Sequence, residues 1–224
     1  KRNLKIFLKK MKKNNNKIAI FGTGGFAREI YHLCKDEGLV EVAGFISQDK
    51  TGNSSDDLLP LSVLGKDKDL PMLIHNLKVN AFVSAIGHPA TRKKCIEYAY
   101  GYNLVAKNIV HPSSVLLTEI DDIGCIAYPN VTIMNDCNIG QGVLFNSNTS
   151  IGHDTFIGDY CNINPGAHVG GKVVIGTGTT VGIGAVVKEN ILIGKNVIIG
   201  AGSVVVKDIP DDQIVYGNPA RGVK

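Results

Sequence analysis

The sequence contains no tryptophan, and none of its apolar runs approaches the roughly 20 residues that a membrane helix requires. Its five cysteines form neither a CxxC pair nor the spacing of a zinc site. Cysteines without such a pattern are typical of proteins from a reducing compartment. We therefore expect a cytoplasmic protein with no integral membrane segment and no bound metal.

Acidic residues are absent from the first 17 positions, which hold eight lysines and arginines. Removing those eight charges from the net charge of +4 leaves −4 for the rest of the chain, which gives no support to nucleic-acid binding. The opening also lacks the apolar core and the cleavage site of a signal peptide. We interpret residues 1–16 as a basic tail, either disordered or upstream of a start at Met11. Contact with an anionic membrane surface is the alternative.

What the sequence does have is a strict period of six. Every sixth residue is apolar, without an insertion: Ile133, Ile139, Phe145, Ile151, Ile157, Ile163, Val169, Ile175, Val181, Val187, Ile193, Ile199 and Val205. The next residue is usually glycine: Gly140, Gly152, Gly158, Gly170, Gly176, Gly182, Gly194 and Gly200. We attribute these glycines to turn dihedrals that are costly for other residues. A sustained six-residue period predicts a β-solenoid, whose short strands stack their aliphatic side chains into one core.

The repeat becomes irregular at both ends. Between residues 113 and 132 the phase is imperfect, because Ile120 and Ile126 agree with each other but lie one residue off the main register. We expect the first coil there. The ending IPDDQIVYGNPARGVK abandons the repeat, and we expect it to cap the open edge of the solenoid. The β-solenoid domain with its cap is therefore predicted over residues 109–224.

Residues 17–108 predict a small Rossmann-like α/β domain. KIAIF reads as a buried strand over residues 17–21, and a glycine-rich turn then opens an amphipathic helix that ends at Gly38. Further strands are expected over residues 39–46 and 81–86, a loop over 48–57, and a helix over 91–100. A strand, a glycine-rich turn, a helix and a strand open a doubly wound domain. We place the linker near residues 107–112.

The glycine-rich turn is a candidate phosphate site. Gly22, Gly24 and Ala27 match GxGxxA after a strand, and Arg28 in the first helical turn can add a charged contact. A nicotinamide dinucleotide would need an acidic residue at the end of the second strand. Ser47 and Gln48 stand there, and Asp49 comes late. The turn therefore favours the phosphates of a single nucleotide, with a tight turn that binds nothing as the alternative.

A second candidate site lies in the repeat. When the periodic apolar residue is counted as the first place of each six-residue unit, His153 and Asp154 take the third and fourth places after Ile151. These places point outward, and an imidazole beside a carboxylate suits a general base. The preceding unit is unusually polar, with Asn146 where glycine is common. If one coil holds 18 residues, Gly171 lies one coil beyond His153 and its N–H can face an oxyanion. Zinc bound by His111, His153 and His168 is disfavoured, since their spacings are not multiples of 18.

Both halves together resemble the bacterial sugar N-acetyltransferases that act on nucleotide-linked 4-amino-4,6-dideoxy sugars, the bacillosamine and perosamine N-acetyltransferases. The resemblance runs from about residue 17 to residue 223. It lies in IAIFGTGGFARE, AIGHPATRKK, HPSS, NTSIGHDTFIGDYCNINPGAHVGGKVVIGTGTTVGIGAVV and GNPARGV. The repeat alone is shared by many acyltransferases, whereas the α/β domain together with the His–Asp pair is much more specific.

The resemblance implies a left-handed parallel β-helix that forms a homotrimer, with acetyl-CoA as co-substrate in grooves between subunits and no metal. It implies that His153 is the general base and that Asp154 orients it. The implied binding residues are, for the nucleotide sugar, Thr23, Gly24, Gly25, Arg28, Asp49 and Asn146, and, for the coenzyme, Asn162, Gly171 and Ile183. Asn162 stands where some members carry a second histidine, Phe26 where many carry histidine, and Arg28 where many carry lysine.

The sequence thus predicts an acetyl-CoA-dependent N-acetyltransferase that acetylates the 4-amino group of a nucleotide-linked 4-amino-4,6-dideoxyhexose by direct attack. One alternative is O-acetylation of a sugar hydroxyl, as in relatives linked to sialic acid synthesis. A second alternative is a scaffold that binds a nucleotide sugar without turnover. The nucleobase, the sugar stereochemistry and the downstream polymer are left open by the sequence.

Overall fold

The computed structural model describes residues 17–47, 60–66, 69–77 and 79–222. These residues form two compact units. The first unit holds the residues up to Ile86 together with Glu97–Lys107, and the second holds Gly87–Ile96 together with the residues from Asn108 onward. The predicted basic tail and the predicted loop over 48–57 lie outside the described residues. We retain 17–108 and 109–224 as proposed domain limits.

The first unit is built on a five-stranded parallel sheet in the order β3-β2-β1-β4-β5. This order confirms the predicted Rossmann-like α/β fold. The elements over residues 17–106 in chain order are β1 (Lys17–Phe21), α1 (Gly25–Asp36), β2 (Glu41–Ser47), β3 (Val63–Lys66), α2 (Leu70–Leu77), β4 (Ala81–Ser84), α3 (Pro89–Tyr100) and β5 (Val105–Ala106). The part of α3 up to Ile96 belongs to the second unit.

Helix α1 forms as the sequence predicts. Its apolar residues recur at helical spacing, so one face is buried, and that face consists of Ala27, Ile30, Tyr31, Leu33 and Cys34. The chain leaves the helix through Gly38, which adopts a φ of 60° that favours glycine. Strand β1 is buried along nearly its whole length because the parallel sheet is covered on both faces.

Several elements of this unit differ from the prediction. Strand β3 and helix α2 were not predicted, β2 begins at Glu41 rather than at residue 39, and β4 ends at Ser84. Helix α3 begins at Pro89 instead of Thr91, because proline suits the first helical position, where its missing N–H has no intrahelical partner. No helix in the ranges that the structure describes is long and apolar enough to cross a membrane.

The second unit is a three-sided parallel β-helix. Its strands are β6 (Ile109–Val110), β7 (Val115–Leu116), β8 (Ile126–Ala127), β9 (Thr132–Ile133), β10 (Asn138–Ile139), β11 (Leu144–Phe145), β12 (Ser150–Ile151), β13 (Phe156–Ile157), β14 (Asn162–Ile163), β15 (His168–Val169), β16 (Val174–Ile175), β17 (Thr180–Val181), β18 (Val186–Val187), β19 (Leu192–Ile193), β20 (Ile198–Ile199), β21 (Val204–Val205), β22 (Ile214–Tyr216) and β23 (Arg221–Gly222).

Successive strands lie on three sheets in turn. Face 1 has the order β23-β22-β20-β17-β14-β11-β8-β6, face 2 has β21-β18-β15-β12-β9-β7, and face 3 has β10-β13-β16-β19. Paired residues are 18 apart along the regular part, as in Ser150 with His168 and Phe156 with Val174. This confirms a coil of three six-residue units, and along the regular repeat the second residue of each strand points into the aliphatic core.

The structure corrects our explanation of the repeated glycines. Positive φ values occur at the fourth place of the units, at Gly142, Gly166, Gly178 and Gly184, and not at the second place. A Cβ on the second-place Gly158 would stand 2.6 Å from the Thr177 nitrogen of the next coil. The second-place glycines are therefore required by the close approach of successive coils, and the turn dihedrals belong to the fourth place.

The irregular ends also have a physical description. Ile109 pairs with Ile126, 17 residues later, so the first coil is one residue shorter than the others. Ala127, not Ile126, takes the inward place of β8 and keeps the main register. At the other end β22 still adds a parallel strand to β20. Strand β23 then pairs antiparallel with β22. The ending thus extends one sheet before it reverses direction.

Candidate active site

His153 and Asp154 lie in a turn between face 2 and face 3. We call this edge of the β-helix the His153 corner, which comprises the stacked turns 134–137, 152–155, 170–173 and 188–191. The amide of the third residue in each of the three later turns donates to the carbonyl of the second residue in the turn before it, as in Lys172 N–H to His153 O at 2.8 Å. This ladder holds the backbone on both sides of the imidazole.

The His153 side chain points outward, as its place in the repeat predicts, and it is 54% exposed. Its Nδ1 lies 2.6 Å from Oδ2 of Asp154, whose own side chain is 49% exposed. Because a carboxylate can only accept, Nδ1 carries the proton of the neutral ring and Nε2 presents a lone pair. Asp154 adopts a φ of 57°, which aspartate tolerates better than most residues. The pair can take up a proton at Nε2.

Gly171 lies directly beneath the imidazole, one coil beyond it. A Cβ on Gly171 would stand 2.8 Å from Nε2 of His153 and 3.0 Å from Cε1, so any side chain there would displace the ring. Within the described part of the chain the Gly171 N–H makes no hydrogen bond, while its carbonyl accepts from the Asn190 amide. A free backbone donor therefore lies next to a base, as the count of 18 residues predicts.

The remaining predicted residues of the β-helix lie elsewhere. Asn146 follows β11 on face 1, and its Nδ2 lies 3.4 Å from Oδ1 of Asn164 on the next coil. Ile183 is 59% exposed in the turn between β17 and β18, at the corner of faces 1 and 2. Within this one chain, neither residue shares the His153 corner.

Asn162 is buried, and its side-chain amide is occupied. Its Oδ1 accepts from Nη2 of Arg92 at 2.6 Å, and its Nδ2 donates to the Gly87 carbonyl at 2.9 Å. In this structure Asn162 therefore contacts its own chain through both polar atoms. Its predicted contact with the coenzyme stays a prediction.

Arg92 is a residue that sequence reasoning missed. Its side chain is 1% exposed and donates to the carbonyls of Gly142, Gly87, Tyr160 and Cys161 in addition to Asn162. Burial lowers the pKa of the guanidinium to about 10. The signal in the sequence was weak, since an arginine in the basic run TRKK of an amphipathic helix reads as a surface residue.

The glycine-rich turn of the first unit leads from β1 into the start of α1. Gly22 has a φ of 122°, and a Cβ there would stand 2.9 Å from the Ala85 carbonyl, so glycine is required. Gly24 is the N-cap of α1 without a side-chain cap, and the first turn has no acidic residue. Arg28 places its guanidinium over Gly25, with Nη2 3.7 Å from the Cβ position. Thr23 lies in the same turn, and Asp49 lies outside the described residues.

Each of the three histidines His111, His153 and His168 has a side-chain hydrogen-bond partner. Nδ1 of His111 lies 2.8 Å from Oγ of Ser113, and Nδ1 of His168 lies 2.8 Å from Oγ of Ser150. Among the described residues no group of three or more histidine, cysteine, aspartate or glutamate side chains could hold a metal ion.

Comparison with known proteins gives matches over both units. The PglD N-terminal domain family matches residues 17–99. The chain is similar to the solved structure of a His-to-Asn mutant of perosamine N-acetyltransferase from Caulobacter crescentus in complex with CoA and GDP-perosamine. The two sequences are 29% identical, the TM-score is 0.85, and the match covers 93% of this chain and 97% of that chain. None of the curated proteins matches the sequence.

Two further structures are similar over their whole length. The acetyltransferase domain of PglB from Neisseria gonorrhoeae, in complex with acetyl coenzyme A, is 25% identical with a TM-score of 0.75, and covers 94% of this chain and 100% of that chain. WeeI from Acinetobacter baumannii is 26% identical with a TM-score of 0.72, and covers 92% of this chain and 99% of that chain.

Proposed function

We infer that the chain belongs to the hexapeptide-repeat N-acetyltransferases of nucleotide-linked amino sugars, which have a left-handed β-helix, and from this premise we propose its substrate and mechanism. It transfers the acetyl group of acetyl-CoA to the 4-amino group of a nucleotide-linked 4-amino-4,6-dideoxyhexose. The observation that carries the proposal is that the His153–Asp154 pair lies next to Gly171, whose backbone N–H makes no hydrogen bond among the described residues. Similarity to a perosamine N-acetyltransferase solved with CoA and GDP-perosamine supports the substrate class.

The proposed reaction is a direct attack on the thioester. The sugar nitrogen forms a bond to the acetyl carbonyl carbon while Nε2 of His153 takes a proton from that nitrogen. Asp154 holds the imidazole in the required tautomer and stabilises the imidazolium. The Gly171 N–H donates to the oxyanion of the tetrahedral intermediate. When the carbon–sulfur bond breaks, the CoA sulfur leaves as a thiolate and receives the proton from His153.

The glycine-rich turn is the proposed site for the nucleotide phosphates. The start of α1, which has no side-chain cap, and the guanidinium of Arg28 favour an anion. Thr23, Gly24 and Gly25 present the backbone of this turn. Asp49 remains a proposed contact to the nucleotide, and Asn146 a proposed contact to the amino sugar.

We propose a homotrimer with acetyl-CoA bound between subunits. Face 3, which flanks the His153 corner, carries a column of exposed apolar side chains formed by Phe156, Val174 and Leu192 on three successive coils. A contiguous exposed apolar column favours a protein contact. A groove closed by a second subunit would bring coenzyme-binding residues such as Ile183 into use. Five free and buried cysteines favour the reducing cytoplasm as the place of the reaction.

A panel of acceptors tests the proposal. The protein is incubated with acetyl-CoA and with UDP-, dTDP- or GDP-linked 4-amino-4,6-dideoxyhexoses, and matched 4-hydroxy sugars serve as controls. CoA release and a product heavier by one acetyl group are expected with one nucleotide series of amino sugars. Transfer only to the hydroxy sugars would replace the proposal with O-acetylation. Saturable calorimetric binding of acetyl-CoA is also expected, and its absence would favour the scaffold.

A further inference from the structure

Lys172 occupies a backbone conformation that lysine seldom adopts. Its φ is 58°, in the left-handed region. The same fourth place in other units of the repeat is held mostly by glycine, asparagine or aspartate, which tolerate this conformation: Asp136, Gly142, Asn148, Asp154, Gly166, Gly178, Gly184, Asn190, Asn196 and Gly202. A non-glycine residue in this region points to a reason other than backbone preference.

Tyr160 is the other exception in the repeat, and packing explains it. Its side chain is buried and its hydroxyl donates to Oε1 of Gln141 at 2.9 Å. Lys172 has no comparable explanation. Its side chain is exposed, and across the described ranges its ammonium makes neither a hydrogen bond nor an ion pair. The fold thus holds a lysine in a strained conformation without using its charge.

The position of Lys172 connects it to the proposed active site. It follows Gly171 directly, and its amide donates to the His153 carbonyl at 2.8 Å. Gly170 and Gly171 before it carry no side chains, and the Cβ position of Gly171 lies 2.8 Å from Nε2 of His153. Asp154 holds the same place on the previous coil and is engaged by His153. A mobile cation is therefore tethered one residue from the proposed oxyanion donor.

We propose that Lys172 binds the sugar-linked phosphate of the nucleotide-linked acceptor, in addition to the contacts that the glycine-rich turn makes with the nucleotide, and that it selects this acceptor over a free amino sugar. This inference rests on the proposed function, which brings the 4-amino group of the sugar to His153. The amine at C4 and the phosphate at C1 lie at opposite ends of one pyranose ring, so the diphosphate stays close to the His153 corner. A flexible four-carbon ammonium suits a phosphate at this distance.

Coenzyme A also contains a diphosphate, but it lies at a different distance from the reacting carbonyl. Its diphosphate is separated from the thioester by the whole pantetheine arm, so a thioester at Gly171 puts that diphosphate far along the groove. The acceptor is therefore the source of the phosphate. The two sources make opposite predictions for the Michaelis constants of the two substrates.

Lys172→Asn tests the inference without threatening the fold, because asparagine tolerates the left-handed conformation better than lysine. We expect an unchanged or raised Tm and a KM for the nucleotide-linked acceptor that rises about 10- to 150-fold, the effect of one hydrogen bond to a charged group. The KM for acetyl-CoA and the kcat/KM for the methyl glycoside of the same amino sugar should not change. Lys172→Arg should retain the low KM. Lys195→Asn, at another corner, is the matched control.

The outcomes distinguish a failure of the role proposed for Lys172 from a failure of the proposed function on which it rests. If the wild-type protein acetylates the nucleotide-linked acceptor and Lys172→Asn has an unchanged KM for it, the role of Lys172 is wrong and the proposed function stands. An equal loss for the free amino sugar, or a rise confined to the KM for acetyl-CoA, would also overturn the role. A wild-type protein that transfers no acetyl group to any nucleotide-linked amino sugar overturns both.

Discussion

Replacing Arg92 by methionine should destabilise the β-helix unit. The methionine keeps much of the apolar stem, but it leaves the Gly142 carbonyl and Oδ1 of Asn162 without the guanidinium that donates to them. Each buried acceptor that loses its partner costs about 1–3 kcal/mol. The variant also removes a charge whose burial is unfavourable, since burial lowers the pKa of Arg92 to about 10. We therefore expect a net loss near the lower end, about 2–3 kcal/mol.

The comparison with Arg92→Lys decides whether charge or geometry matters. Lysine keeps the buried charge, but its compact ammonium cannot span acceptors that a planar five-donor guanidinium reaches. We expect Arg92→Lys to be at least as destabilising as Arg92→Met. Urea unfolding followed by circular dichroism measures both, and Arg221→Met, at an exposed arginine, should stay within about 0.5 kcal/mol of the wild type. A near-native Arg92→Lys would refute the argument from geometry.

Three further predictions concern the proposed active site and the core. Asp154→Asn should lower kcat by about 10- to 100-fold with little change in Tm, because an amide does not hold the imidazole in the reactive tautomer. Gly171→Ala should lower kcat by about 100-fold, since the new Cβ would stand 2.8 Å from Nε2 of His153, and a thermal melt should show the fold intact. Burial raises the pKa of the Cys125 and Cys161 thiols from 9.0 to about 12. As the pH rises, these thiols therefore ionise in the unfolded state before they ionise in the folded state. The free energy of unfolding should fall between pH 9 and 10 by up to about 1.4 kcal/mol per thiol. Urea unfolding at pH 8, 9 and 10 should show this decline. Replacing both cysteines by valine should make it shallower, while Cys34, whose pKa burial also raises to about 12, should retain its part.

The sequence predicted the β-helix well because its period reflects direct contact between coils. Each inward residue packs on residues 18 positions away, so a side chain such as Ile151 lies between Ile133 and Val169. The same 18-residue period predicted from the sequence that Gly171 lies beside His153. It did not reveal why the second-place glycines are needed, since a period identifies a position but not whether dihedral or steric constraint fixes the residue there.

The missed features depend on tertiary contacts that leave no local pattern. Arg92 is buried because carbonyl groups of distant coils converge on it, and no spacing within α3 predicts those acceptors. Strand β3 has four half-buried residues, and such a short segment shows too little alternation to be distinguished from a loop. The two engaged polar atoms of Asn162 likewise follow from Arg92 and Gly87, which lie about 70 residues earlier in the chain.

The most direct test of the account is the turnover of His153→Asn with the acceptor that the panel identifies. Asparagine keeps a polar side chain of similar size but cannot take the proton from the sugar amine. We predict that kcat falls about 10²- to 10⁴-fold, while calorimetric binding of acetyl-CoA is retained and His168→Asn, at the exposed histidine of face 2, turns over like the wild type. A His153→Asn variant with near-native kcat would contradict the proposed mechanism.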